Sequence, residues 1–170
     1  MDPAVSVEDF SQLFEAHARF VWRALRYLGV READLDDVCQ EVFLIVYRKL
    51  SSFEQRSSIQ AWLYGITLRV AADYRKSAYV RRERPSHPPP DTSIPSAAPQ
   101  TEARQMLIHL LEQLEGPKRE VLVLHDIEGL SMREAAEILD CPLQTAYTRY
   151  HAAREVLTKA MRRSRRQEAS

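Results

Sequence analysis

Six of the nine prolines in this 170-residue chain fall within one stretch, residues 84–100, RPSHPPPDTSIPSAAPQ. Proline lacks the backbone donor that helices and inner strands need. No apolar residue recurs there with a helical or strand period, so the stretch cannot build a core. It reads as an extended, partly stiff tether, reaching up to roughly 50 Å at about 3.1 Å per residue of polyproline geometry. The chain is therefore expected to fold as two small units, about 5–83 and about 101–166.

Both units read as helical. Only four glycines occur, and Ala, Leu, Arg and Glu dominate, which favours helix over strand. Before the tether, Phe10, Leu13, Phe14, Val21, Leu25 and Leu28 recur at helical spacing, with Gly29 as a stop. A second helix is predicted over about Asp34–Leu50, burying Leu35, Val38, Val42, Ile45 and Val46. After the polar loop SSFEQRSS, a third spans about Ile59–Arg82, with Ile59, Trp62, Leu63, Ile66, Val70 and Tyr74 on one face. Three helices, each apolar on one side, must pack together to bury those faces.

After the tether, four shorter helices are predicted. Thr101 caps the first, which turns Leu107, Leu110, Leu111 and Leu114 inward and ends at Gly116. Pro117 suits the first turn of the second, which runs to about Ile127 and buries Val121, Leu122 and Leu124. Glu128-Gly129 makes a turn, and Ser131 with Glu134 forms a capping box opening a third helix, Met132–Leu139. Asp140-Cys141-Pro142 breaks it before a last helix, about Leu143–Arg163, that buries Ala146, Tyr150, Ala153 and Leu157. The expected fold class is all-α: a three-helix bundle and a four-helix unit joined by the tether.

Several function classes find no support in the residues. There is no GxxxxGK[ST], GxSxG or HExxH, so no enzymatic activity is expected. The five histidines, at 17, 87, 109, 125 and 151, show no paired ligand spacing, and no metal or cofactor is expected. Cys39 and Cys141 are far apart and lie within helical patterns, which fits small buried hydrophobes better than a disulfide. The apolar stretches are far too short to span a membrane. MDPAVSVEDF lacks the basic start and apolar run of a signal peptide, so a cytoplasmic location is expected.

A formal net charge of zero argues against a generic nucleic-acid binder, but the charges are sorted along the chain. Residues 31–41 carry Glu32, Asp34, Asp36, Asp37 and Glu41 against Arg31. Residues 69–84 carry Arg69, Arg75, Lys76, Arg81, Arg82 and Arg84 against Asp73 and Glu83. From 149 onward the excess is again basic. One acidic and two basic helices point to surfaces with separate partners. The last two helices have the outline of a helix-turn-helix, whose second helix enters the major groove N-terminus first. Opposite its buried stripe stand Gln144, Thr145, Tyr147, Thr148, His151 and Arg154, side chains able to reach base edges or phosphates. An ordinary helical hairpin with a solvated polar face would show the same pattern.

The residues also carry a family resemblance. EGLSMREAAEILDCPLQTAYTRYHAARE closely resembles region four of the extracytoplasmic-function sigma factors, and GPKREVLVLHDIEGLS resembles the helix that leads into it. DLDDVCQEVFLIVYRKLSSF and SIQAWLYGITLRVAADYRK resemble region two of the same family. Together the matches cover almost everything outside the tether, in the family's order. The resemblance implies a protein that binds core RNA polymerase and directs it to the −10 and −35 elements of promoter DNA. It implies an anti-sigma factor as a further partner, holding the two units against each other. It also implies region two over 5–83, the tether over 84–100 and region four over 101–166.

Residue by residue, the resemblance makes the acidic helix a docking surface for the polymerase. Asp36, Gln40, Phe43 and Tyr47 lie at steps of four, three and four, with Asp37 and Glu41 beside them, an expected exposed mixed stripe. Part of the acid also complements the helix dipole. The loop at 51–58 and the third helix match the part that melts and reads −10 DNA, with Phe53, Arg56, Arg69, Asp73, Arg75, Lys76 and Arg82 as the candidates. Trp62 invites a stacking role, yet its place in the apolar stripe favours core packing, and Tyr74 is expected in the core too. Region four contributes Gln144, Thr145, Tyr147, Thr148, Arg149, His151 and Arg154 for −35 duplex.

The chain departs from the family pattern at Tyr147 and Ala152, where a basic residue is usual, and at Gln144, where glycine is usual. Losing two cations weakens phosphate contacts and lowers the salt dependence of binding. Apolar or stacking contacts by Tyr147 and His151 are expected in place of charge. Two other readings remain open from the residues alone: a DNA-binding regulator that never engages the polymerase, and a protein-interaction adaptor.

Overall fold

A computed structural model describes residues 7–54, 56–82 and 101–168. The expected tether, 84–100, lies outside the described residues. The chain divides into two compact units, Met1–Ser96 and Ala97–Ser170. Among the described residues the first holds α1 (Val7–Tyr27), α2 (Leu35–Lys49) and α3 (Ile59–Arg82), and the second α4 (Glu102–Glu112), α5 (Gly116–Leu122), α6 (Met132–Ile138) and α7 (Leu143–Glu168). No described residue lies in a strand.

In the first unit, α1, α2 and α3 all pack against one another. The apolar faces meet as the helical spacing demands: Val21, Leu25 and Leu28, Leu35, Val42 and Val46, and Leu63, Val70 and Ala71 are all buried. Each such Val or Leu contributes about 1.5–3 kcal/mol relative to exposure. Thr67 is also buried, and its hydroxyl donates to the Leu63 carbonyl at 2.8 Å, so no polar atom is stranded there. Cys39 is buried, and burial, with the Asp36 carboxylate adding to it, pushes its thiol up to about 11. The thiolate is thereby suppressed at neutral pH.

Gly29 ends α1 with φ 99°, and the Val30 amide reaches back to the Leu25 carbonyl at 3.0 Å. Its left-handed conformation turns the chain sharply enough for α2 to return along α1. The turn is then tied to α3 from two sides. The Arg75 guanidinium donates to the Leu28 carbonyl, and the Tyr74 hydroxyl donates to Asp34. Arg31 joins them, with Nη2 2.9 Å from Asp34 and Nε 3.2 Å from the Tyr74 oxygen. The Tyr74 hydroxyl, with Asp34 beside it, raises the pKa of Arg31 further. Tyr74 is half-buried and acts as a polar clasp, where the sequence reading expected a core ring.

In the second unit, Thr101 caps α4 by accepting from the Arg104 amide. Gly116 does not end that helix: α4 stops at Glu112, and Gly116-Pro117 instead begin α5. Proline is favoured in a first turn because the amide it lacks has no partner there. Buried Arg119 secures the corner, its Nε donating to the Leu111 carbonyl at 2.7 Å and its Nη2 to the Leu114 carbonyl at 3.1 Å. These carbonyls lie at the end of α4, where the helix no longer supplies partners.

A π-helical stretch, Val123–Ile127, follows α5, and Gly129 at φ 73° closes the turn. Ser131 and Glu134 form the expected capping box. At the next turn Asp140 adopts φ 48°, taking the left-handed place that glycine usually fills. Helix α7 packs on both α5 and α6, burying Ala146, Ala153 and Ala160, while Tyr150 and Leu157 are half-buried. Small residues on that face let the helices approach closely. Helix α7 also runs to Glu168, beyond the expected end at Arg163.

Candidate nucleic-acid and partner interfaces

The acid-rich face of α2 holds Asp36, Asp37, Gln40 and Glu41, all exposed, with Tyr47 52% exposed. Phe43 is a correction. It is buried, because α1 sends Phe10 and Phe14 across it edge-on, with ring centroids 6.4 and 4.7 Å away. Phe10 also meets Tyr47 edge-on at 5.2 Å, holding that ring upright at the border of the core. Phe14 is correspondingly more exposed than its place in the apolar stripe suggested. Leu44, 52% exposed and one helical turn from Gln40, is the exposed aliphatic side chain of this face instead. Trp22 of α1 adds a further contact, its indole N–H donating to the Asp36 carboxylate at 3.2 Å. Neither Leu44 nor Trp22 was singled out from the sequence, although the seven-residue step from Asp37 to Leu44 places those two on one face of α2.

The loop after α2 and the start of α3 line an open cavity of about 200 Å³ formed by Ser52, Phe53, Glu54, Arg56, Ser57 and Trp62. The Phe53 and Trp62 rings lie 5.0 Å apart and tilted by 42°. Trp62 is half-buried at the wall of this cavity, so it is neither a plain core residue nor a free stacking surface. Arg56 pairs with Glu54 at 2.6 Å, but both side chains are largely exposed, so the pair contributes little and can part readily. Along α3, Arg69, Asp73 and Lys76 are exposed at steps of four and three, which places them on one helix face. Arg75 is a second correction: half-buried and committed to the Leu28 carbonyl, it secures the bundle. The backbone of Arg82 lies in α3, but its side chain is outside the described residues.

Helices α6 and α7, joined through Asp140, Cys141 and Pro142, form the expected helix-turn-helix. Gln144, Tyr147, Thr148 and His151 are exposed, whereas Thr145 and Arg149 are half-buried. The Thr148 hydroxyl donates to the Gln144 carbonyl at 2.9 Å, leaving its oxygen to accept from outside. Arg154 is exposed but engaged. Its guanidinium lies 3.1 Å from the Asp126 carboxylate and 5.9 Å from the Tyr150 ring centre, and Asp126 raises its pKa. Asp126 also accepts from the Tyr150 hydroxyl at 2.9 Å, and the π-helical stretch is what points it at α7. From the same stretch, His125 donates Nδ1–H to the Leu130 carbonyl at 2.7 Å and meets Tyr150 edge-on at 5.1 Å.

Among the described residues no group of three His, Cys, Asp or Glu side chains is placed to hold a metal ion, and no helix is long and apolar enough to cross a membrane. Both units present exposed polar, basic and aromatic side chains on their helices, an arrangement that fits the class of DNA-binding transcription proteins, and the first unit adds an acidic face.

Comparison with known proteins agrees with that class. Residues 13–81 match the family described as Sigma-70 region 2, and residues 104–157 match Sigma-70, region 4. The ECF RNA polymerase sigma-E factor of Escherichia coli K12 is 30% identical over 148 residues, covering 75% of this chain and 74% of that protein. The RNA polymerase sigma factor NccH of Alcaligenes xylosoxydans xylosoxydans is 28% identical over 163 residues, covering 91% and 88%. Among solved structures, CnrH in complex with the cytosolic domain of CnrY matches with a TM-score of 0.69 at 28% identity, covering 92% of this chain and 89% of that one. The sigma factor RpoE of Bartonella quintana, in complex with the anti-sigma factor NepR, shares the fold with a TM-score of 0.74 at 24% identity, covering 92% and 98%.

The chain belongs to the extracytoplasmic-function family of RNA polymerase sigma factors. It is an alternative sigma factor that directs promoter-specific transcription initiation. The readings as a polymerase-independent regulator or a pure adaptor give way to this family membership.

Proposed function

We propose that the two units divide the work of initiation, with 5–83 docking on core polymerase and opening the −10 element and 101–166 reading −35 duplex. The carrying observation is the acid face of α2, where Asp37, Gln40, Glu41, Leu44 and Tyr47 stand exposed on a helix whose other side is committed to the core. Carboxylates around an apolar centre suit a basic partner surface with a desolvated core. Asp36, held by Trp22, completes that face.

The cavity walled by Phe53 and Trp62 is on the scale of a single nucleobase, and Arg56, Arg69 and Lys76 supply cations for the strand that carries it. Opening then rests on binding energy: each flipped base gains stacking and pays a few kcal/mol of unstacking. Gln144, Tyr147, Thr148 and His151 face the −35 major groove. The protein acts in the cytoplasm by binding and positioning, without catalytic chemistry of its own. The complexes of CnrH with CnrY and of RpoE with NepR support a further partner here, an anti-sigma factor that competes for these surfaces.

The docking face is tested by the double variant Asp37→Lys/Glu41→Lys. Two exposed charge reversals leave the fold intact, as far-UV circular dichroism will show, and weaken core polymerase binding about tenfold or more. Unchanged affinity for the core refutes this face as the docking surface.

A further inference from the structure

The first three turns of α7 present little free positive charge. Arg149 is half-buried, and Arg154 is engaged by Asp126 across the unit. Beside exposed Gln144 and Thr148 runs an apolar and aromatic stripe. Leu143 is 39% and Tyr147 41% exposed, His151 is exposed as well, and the three follow one another at steps of four. Residues so spaced share one helix face. The Tyr147 and His151 rings lie nearly parallel, 20° apart with centroids separated by 6.3 Å. Tyr150, edge-on to His151 at 5.7 Å, steadies it from the buried side.

Such a stripe has a limited choice of partner inside a major groove. Guanine and adenine offer acceptors and donors there, cytosine a donor. Thymine alone carries an apolar group, its C5 methyl. Resting on the assignment of α7 to −35 duplex, we propose that the Leu143–Tyr147–His151 stripe reads thymine methyl groups. Base choice by this helix is thus made by apolar contact, with Gln144 and the accepting oxygen of Thr148 supplying the polar readout alongside. Tyr147 becomes the specificity-determining residue, and its ring defines where in the element methyl groups are required.

The test uses the full chain assembled with core polymerase. Duplexes are selected from a pool randomised over the −35 region, and each thymine of the enriched element is then replaced by deoxyuridine, which removes the methyl and nothing else. The expected result is a loss of about fourfold in affinity for each contacted methyl, at one to three adjacent positions. In Tyr147→Ser that deoxyuridine effect shrinks to less than twofold at the position facing the ring, while circular dichroism shows a folded protein. An enriched element with no deoxyuridine effect in the wild type, or with the same effect in Tyr147→Ser, overturns the inference and leaves the −35 assignment standing. Failure of the pool to enrich at all overturns that assignment and this inference together.

Discussion

Removing the guanidinium of Arg119 is expected to destabilise one half of the molecule and spare the other. The side chain is only 8% exposed and donates to the Leu111 carbonyl at 2.7 Å and to the Leu114 carbonyl at 3.1 Å. Hydrogen bonds from a charged donor contribute about 1.5–3 kcal/mol each. Two effects lower the sum. Leu111 keeps the Leu114 amide as a partner at 3.1 Å, and the variant no longer has to desolvate a charge. Arg119→Met, which keeps an apolar stem, should therefore cost about 2–3 kcal/mol. At about 0.05–0.15 kcal/mol per residue, a unit of this size holds only about 3–10 kcal/mol in all. Both tryptophans, Trp22 and Trp62, lie in the first unit. In urea, the helical signal should acquire an early transition while tryptophan fluorescence keeps its wild-type midpoint. A fluorescence midpoint that shifts in parallel, or a helical signal that does not change, refutes this account of the corner.

Two further outcomes follow from the helix ends. Asp140→Gly relieves a left-handed residue at φ 48°, offset by the greater freedom of glycine in the unfolded chain. The second unit should gain up to about 1 kcal/mol, read as a modest rise in its thermal midpoint. Glu134 has its pKa lowered by hydrogen bonds from the Ser131 hydroxyl and amide. A depressed carboxyl pKa contributes stability above its unfolded value and loses it as pH falls through the folded one. The second unit should weaken as pH drops below about 4.5, the ordinary value for the group, and Glu134→Gln should flatten that part of the profile. An unaltered slope in the variant would show that the box contributes nothing.

Much of this architecture can be read from spacing alone. The buried stripes of α1, α2 and α3, the stop at Gly29, the Ser131–Glu134 box and the break at Asp140-Cys141-Pro142 all follow from local rules that tertiary packing did not override. What spacing could not supply was the neighbour. Phe43 fits an exposed stripe by its register, and only the arrival of Phe10 and Phe14 from α1 buries it. Arg75 and Arg154 read as DNA-facing cations until the Leu28 carbonyl and Asp126, 47 and 28 residues away, engage them. Gly116 fits a helix stop as well as a start, and Pro117 together with the Arg119 lock settles it as a start. Leu44 and Trp22 were missed because the exposure of the one and the bond of the other to Asp36 arise only once α1 and α2 are packed.

Transcription from defined components shows whether this chain docks on polymerase and selects promoters. Core RNA polymerase free of other sigma factors, combined with the full chain, would be supplied with fragmented genomic DNA and the transcript 5′ ends sequenced. Discrete start sites are expected, each preceded at fixed spacing by the same two short elements, and lost in Asp37→Lys/Glu41→Lys. Starts no different from those of core polymerase alone, with the chain bound to DNA but not to the core, would contradict that role.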